Sequence, residues 1–237
     1  MPTLNKRSKE SEALDNLELS GKELEQTLRQ LAFINRSLGN TASLTREVLD
    51  IIEVNQVNQI KLIDLGCGGG DVLKHLAQKL SKRGISYSLI GIDGNAHSLV
   101  YAQKESQDIP SLIFKQADIM AENFELETCD IMISSHFMYH FEEEALITFL
   151  RKHKTSVKYN ILISELERNT ASFLLFRMFS SLLGFNHMVK NDGLMAIKRA
   201  YSRTEINRVL SVFEEEAVQI IPKFFRRMII KLNPNRL

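Results

Sequence analysis

The chain has only two cysteines among 237 residues, Cys67 and Cys129, too few for a disulfide framework, and neither stands in a ligand spacing with histidine that would suggest a structural metal. A reducing compartment is expected, and no metal. Excess charge of either sign is also missing: 30 Lys and Arg face 29 Asp and Glu, a net charge of +1. That balance, with no basic groove or interleaved stacking aromatics, argues against a nucleic-acid partner. The opening stretch, MPTLNKRSKESEALDN, has no apolar core and cannot serve as a secretory signal. The greasiest run, Phe173 to Met188, is broken by Arg177, Ser180, Ser181 and Asn186, and falls short of the roughly 20 apolar residues a membrane span needs. A cytoplasmic protein without stable membrane insertion is expected; monomer and homodimer both stay open.

What is present is a 44% hydrophobic fraction, ample for a large core. The polar first dozen or so residues predict disorder, with order expected from near Ser20. There Ser20 and Glu23 have capping-box spacing, and Leu24, Leu28, Leu31 and Leu38 recur at helical intervals until Gly39 supplies a stop. Leu44, Val48, Leu49 and Ile52 share one face of a second helix. Residues 1–58 are thus expected as a flexible tail and an N-terminal helical cap.

From Lys61 the pattern changes to short apolar runs, each followed by a turn and a helical period, the mark of a parallel sheet covered on both faces. Candidate strands are Lys61 to Leu65, Ser88 to Ile92, Leu112 to Lys115, Ile131 to Ser134 and Asn160 to Ser164. Helices are expected around Leu73 to Leu80, His97 to Lys104 and Glu143 to Arg151. Ala217 to Ile221 and Phe225 to Lys231 flank Pro222 and Lys223 with almost no loop, which predicts an antiparallel pair at one sheet edge. Residues 59–237 therefore read as a doubly wound α/β domain. It is interrupted at about 168–200 by an insertion rich in Phe and Leu, too apolar all round for a surface helix. A lid over an apolar cavity, packing against the N-terminal helices, and contact with a partner all fit it. Ser202 and Glu205 predict a capped helix after it.

Lys61-Leu-Ile-Asp-Leu-Gly-Cys-Gly-Gly-Gly-Asp71 carries the strongest signal: a strand, the carboxylate of Asp64, then Gly66, Gly68 and Gly70 opening a helix. Glycines permit the tight turn and let backbone approach a ligand, although any strand-to-helix turn in an alternating fold can be glycine-rich. The next strand, Leu89-Ile-Gly-Ile-Asp93, ends in a carboxylate where such folds bind a ribose diol.

These residues resemble the class I, Rossmann-like S-adenosylmethionine-dependent methyltransferases, over about Ser43 to Ser164. The resemblance implies a seven-stranded, mostly parallel sheet with the last strand antiparallel, and S-adenosylmethionine as cofactor, leaving as S-adenosylhomocysteine. It implies a cofactor set of Asp64, Gly66, Cys67, Gly68, Gly70, Asp93 and Gly94, with Asp118 and Ile119 of Gln116-Ala-Asp-Ile at the adenine, and Ser135 after the fourth strand. Arg36 is a candidate for the cofactor's carboxylate, against a solvated helix end. A nicotinamide site would want Gly-x-Gly-x-x-Gly, and Asp71 follows Gly70 instead.

Ser134-Ser-His-Phe-Met-Tyr-His-Phe141 resembles the histidine-bearing segment of many small-molecule members, which makes His140 and His136 candidate bases and Tyr139 a candidate acceptor contact; packing is the plainer role for either histidine. Glu165 and Arg168, after the fifth strand, are candidate acceptor contacts, with Arg168 equally a structural partner of Glu165 or Glu167. Cys67 reads as a small loop residue and Cys129 as core. The tail cations Lys223, Arg226, Arg227, Lys231 and Arg236 read as one solvated face. Together these features predict methyl transfer to a small, apolar or phenolic acceptor, O-methylation foremost, resembling bacterial small-molecule methyltransferases of secondary metabolism. A non-catalytic cofactor-binding module and a methyltransferase for protein or peripheral-membrane substrates are the rivals.

Overall fold

The structure, a computed structural model, describes residues 4–109 and 111–237. Seven strands form one sheet: β1 (Gln59–Leu65), β2 (Ser86–Asp93), β3 (Leu112–Gln116), β4 (Cys129–Ser135), β5 (Val157–Leu166), β6 (Val218–Lys223) and β7 (Arg227–Leu232). Their order is β3-β2-β1-β4-β5-β7-β6. The first five run parallel, and β7 lies antiparallel between β5 and β6. The runs that read as continuous apolar stretches divide by the two-residue period of a strand. Ile63, Leu65, Met132, Ile161 and Ile163 enter one core, while Leu62, Ile131, Ile133 and Leu162 enter the other. The chain leaves β1 toward β2 on one side and returns as β4 on the other. The carboxyl ends of β1 and β4 therefore flank the crevice where such sheets take ligands.

Two helices precede the sheet, α1 (Gly21–Ser37) and α2 (Asn40–Val54). Ser20 is the N-cap of α1, but its side chain makes no cap hydrogen bond, so the expected box is not formed there. Gly39, left-handed at φ 78, ends one helix and caps the next. Helix α2 shares the core of Leu62 and of Leu73 in α3 (Asp71–Lys82). The sheet is further covered by α4 (Ala96–Glu105) and α5 (Glu143–His153). The insertion folds as α6 (Thr170–Leu182) and α7 (His187–Arg199), and α8 (Arg203–Leu210) follows with both bonds of its Ser202–Glu205 box in place. Phe185 and Val189 pack with Ile34 of α1 and its C-cap Leu38 against Phe176, Phe179 and Phe225, so the lid rests on the N-terminal helices. No helix among the described residues is long and apolar enough to cross a membrane.

Where composition predicts disorder, the structure docks a strap. Residues 1–3 lie outside the described residues, but from Leu4 to Ser20 the chain crosses the carboxyl edge of the sheet. Arg7 donates to the carbonyls of Arg199 at 2.8 Å and Phe141 at 3.0 Å, and its guanidinium lies over the Tyr201 ring. The carboxylate of Asp192 accepts from the amides of Ala13 and Leu14 at 2.9 and 3.0 Å. A polar segment is ordered here because its polar groups find partners on the lid rather than because it buries a hydrophobic face.

Candidate active site

The glycine turn is tied to the end of β2 by backbone and by one side chain. The amides of Gly66 and Cys67 donate to the carbonyl of Ile92 at 2.9 and 3.1 Å. Asp93 accepts from the Gly68 amide at 2.8 Å through one oxygen, and from the Asn95 amide at 3.0 Å through the other. Gly66 is left-handed at φ 74, and a Cβ there would come within 2.5 Å of the Phe137 ring. Only glycine suits both the dihedral and the contact.

Above this turn opens a cavity of about 540 Å³ that continues to the lid without a break. One end is acidic. Asp64 is buried with Oδ1 lacking a hydrogen-bond partner, and burial, then Asp71 and Asp93, hold its carboxyl well above the ordinary range. Burial raises Asp71 too, with the Asn35 amide donating to it at 3.3 Å. Three carboxylates at one end of a cavity favour a cationic ligand and repel a dinucleotide pyrophosphate. The ammonium and sulfonium of S-adenosylmethionine suit them.

The other end is built from distant parts of the chain. Glu12 of the strap accepts from the Tyr139 hydroxyl at 2.9 Å and from Arg199 at 3.0 Å. Arg199 also donates to Asp15 at 2.6 Å and to His140 Nδ1 at 2.9 Å. Burial pushes Glu12 up to about 8. Burial, then Arg199, pushes His140 down to about 4, and burial, then Arg227, takes His136 to about 3. Among the described residues, Glu12, Asp15 and His140 are the one group of acids and histidines close enough to share a metal ion, but the Arg199 guanidinium already bridges them.

Of the residues singled out in the sequence, Asp64, Gly66, Cys67, Gly68, Asp93, Gly94, Asp118, Ile119, Ser135, His136, Tyr139 and His140 all line this cavity. Four do not. Gly70 is the left-handed N-cap of α3 and packs under Phe114 and Ala102, and Gly69 takes the lining place. Arg36 is exposed, and its neighbour Asn35 faces the cavity instead. Glu165 is buried and accepts from the Met138 amide at 2.8 Å, holding the 137–139 turn from beneath. Arg168 is buried on Glu205, neither of the acids expected, and donates to the Ala200 carbonyl at 3.0 Å. Burial raises the Cys67 thiol well above its ordinary value and pushes Cys129 up to about 12, consistent with inert packing. The reading of the tail as solvated fails at Arg227, which is 6% exposed and lines the cavity. Unforeseen members include Glu12, Asp15, Arg199 and Arg227.

Residues 62–160 match the family model described as "Methyltransferase domain". No curated protein sequence matches the chain. Among solved structures, a SAM dependent methyltransferase from Aquifex aeolicus is 13% identical, with 88% of this chain and 97% of that one covered at a TM-score of 0.59. The plantazolicin methyltransferase BpumL in complex with SAH is 15% identical, covering 89% and 95% at 0.59. Magnesium protoporphyrin IX methyltransferase from Synechocystis PCC 6803 with bound SAH is 15% identical, covering 85% and 87% at 0.56. Against three other structures the chain spans about half of the matched length, 46% to 50%. At such identities the likeness is one of fold, and the family model adds the domain. Both lead to one conclusion: residues 62–160 form a methyltransferase domain, in a chain with the fold that S-adenosylmethionine-dependent methyltransferases share.

Proposed function

We propose that the protein methylates a small acceptor enclosed beneath the lid, with an oxygen as the favoured acceptor atom. The observation that carries this reading is the continuity of one cavity from the glycine turn, through His136 and Tyr139, to the lid residues Phe176 and Phe179. It lets a cofactor at one end meet an acceptor at the other without opening to a groove. In this reading Asp64 faces the cofactor's ammonium, Asp93 its ribose diol, and Asp118 and Ile119 its base, with Gly66, Gly68, Gly94 and Ser135 as close backbone or hydroxyl neighbours.

Bound S-adenosylmethionine supplies a methyl group already activated on a sulfonium. What remains for the protein is to align the acceptor atom, exclude water and take up one proton from a hydroxyl. A base with a pKa of 3 to 4 is poorly suited to that last task at neutrality, which moves the role away from His136 and His140. Glu12, pushed up to about 8 at the acceptor end, can take up the proton in its ionised form, which gains population as pH rises toward 8. The histidines and Tyr139 then position the acceptor. Acceptors of secondary metabolism fit this reading by analogy with the plantazolicin methyltransferase, and two free buried cysteines suit a cytoplasmic setting.

Calorimetric titration with S-adenosylmethionine, S-adenosylhomocysteine and NADH tests the cofactor half. Mass spectrometry of phenolic, enolic and carboxylic acceptor panels tests the transfer. Cofactor binding without turnover across those panels would favour a binding module instead. A peripheral-membrane acceptor has one observation of its own: Leu174, Met178 and Leu182 make an exposed stripe on α6, with Met178 65% and Leu182 82% exposed. Co-sedimentation with liposomes tests it.

A further inference from the structure

Arg227 opens β7 with its side chain turned inward, in the wall of the cavity. Its only hydrogen bond among the described residues is a long one, Nη1 to the Leu38 carbonyl at 3.4 Å, and Nε has no partner. The other lining arginine, and the buried Arg168 outside the chamber, differ. Arg199 sits on Glu12 and Asp15, and Arg168 on Glu205. Among the described residues nothing anionic offsets Arg227: burial alone acts on it, lowering its pKa to about 10, still charged at neutrality. A buried, unpaired guanidinium costs the fold free energy and persists where something else needs the charge.

A second unpartnered ring nitrogen, on His136, lines the same cavity. His136 takes a left-handed backbone, φ 54, at the end of β4. A short relay leads to its ring. The Ser164 hydroxyl donates to Asn40 Oδ1 at 2.6 Å, and Asn40 Nδ2 donates to Ser135 Oγ at 2.8 Å. The Ser135 proton is left for His136 Nδ1 at 3.1 Å. With that proton accepted at Nδ1, Nε2 carries the ring hydrogen, and among the described residues it is buried without a partner. Both side chains line the one cavity, and the charge on Arg227 reaches far enough to depress His136. Ser172 Oγ, also buried and unpartnered, lines the same cavity. Around them the walls are apolar: Leu38, Phe176, Phe179 and Phe225.

We propose that Arg227 and His136 form a carboxylate subsite, so that the acceptor is an organic acid with an apolar body. This rests on the methyl-transfer reading and sharpens it from an apolar acceptor to an amphiphilic anion. A carboxylate is ionised at neutrality without help, and its two oxygens match a planar guanidinium and a ring N–H together. The other source of such a group is the methionine end of the cofactor, and the S-adenosylhomocysteine affinity of the Arg227 variants separates the two.

The test is calorimetric titration of 2-naphthoate and its neutral isostere 2-naphthamide into the protein, with and without saturating S-adenosylhomocysteine. The acid should bind at least about ten-fold tighter than the amide. Arg227→Met should reduce the acid to the level of the amide, and Arg227→Lys should keep part of the preference, both with S-adenosylhomocysteine affinity unchanged. Arg227→Met should also melt higher than wild type when no ligand is present, which guards against mistaking a misfolded variant for a lost subsite. Equal affinities for acid and amide, or binding of neither, overturns the subsite. A ten-fold loss of S-adenosylhomocysteine affinity in Arg227→Met overturns it too, by giving the arginine to the cofactor. A wild-type protein that binds no cofactor sinks the methyl-transfer reading instead, and the acid-over-amide comparison without cofactor still decides the subsite.

Discussion

Arg199 donates from Nη2 to Nδ1 of His140 across 2.9 Å, and a guanidinium can only donate, so that ring nitrogen is an acceptor and carries no hydrogen. The imidazole is therefore neutral, with its hydrogen on Nε2, and the nearby cation opposes a second one. His140 should titrate at about 4 rather than near its ordinary 6.5. The check is the pH dependence of its ring resonances by NMR. Arg199→Met should move the midpoint up, because one of the three causes of the depression, burial, Arg199 and Arg7, is gone. A wild-type midpoint near 6.5 would show that the contact is absent in solution and would return His140 to the list of bases.

Asp93 accepts from Gly68 and Asn95, and so it sets the turn as well as offering free lone pairs to a diol. Asp93→Ala should weaken S-adenosylhomocysteine binding by about 1.5–3 kcal/mol, the usual worth of hydrogen bonds to a charged group. Asp93→Asn should lose less, since one acceptor oxygen remains. Calorimetry on the folded variants decides it: unchanged affinity for both would remove Asp93 from the site.

Gly66 bears a steric demand that can be separated from any ligand contact. Gly66→Ala imposes a left-handed alanine, at about 1 kcal/mol, and drives a methyl into the ring of Phe137. The melting temperature should fall together with cofactor affinity, and Phe137→Ala, by vacating the clash, should restore part of the loss in the double variant. Full affinity and stability in Gly66→Ala would mean that the turn relaxes freely.

Those glycines and carboxylates were legible because they lie within one strand-turn-helix or at the end of the next strand, where local sequence sets geometry. The strands were legible for a similar reason: Ile131 to Ile133 and Ile161 to Ile163 are buried on both faces, and no other element gives that pattern so briefly. The acceptor end was not legible. Glu12 and Arg199 are 187 positions apart and meet only because Asp192 and Arg7 dock the strap on the lid. Arg227 looked solvated because strand alternation gives two faces but not which one turns inward. That choice is made by Phe225 and Arg226, left-handed at φ 56 and 53 although neither is glycine.

Glu12 also makes the strap a pH-sensitive element. In the unfolded chain it titrates near 4.5, and in place it is raised to about 8 because burial outweighs Arg199. The docked state therefore holds the extra proton between those values, and its stability falls as pH rises through that window. Glu165, raised by burial to about 8, acts in the same direction, so the variant rather than the wild type isolates the strap. Hydrogen exchange over residues 4–19, corrected for intrinsic rate, should show stronger protection at about pH 5 than at about pH 8.5. Glu12→Gln, neutral throughout and still able to accept from Tyr139, should flatten that difference. Equal protection at both pH values in the wild type would mean that Glu12 stays ionised on Arg199, and its role as the proton acceptor at the acceptor end would fall with the same result.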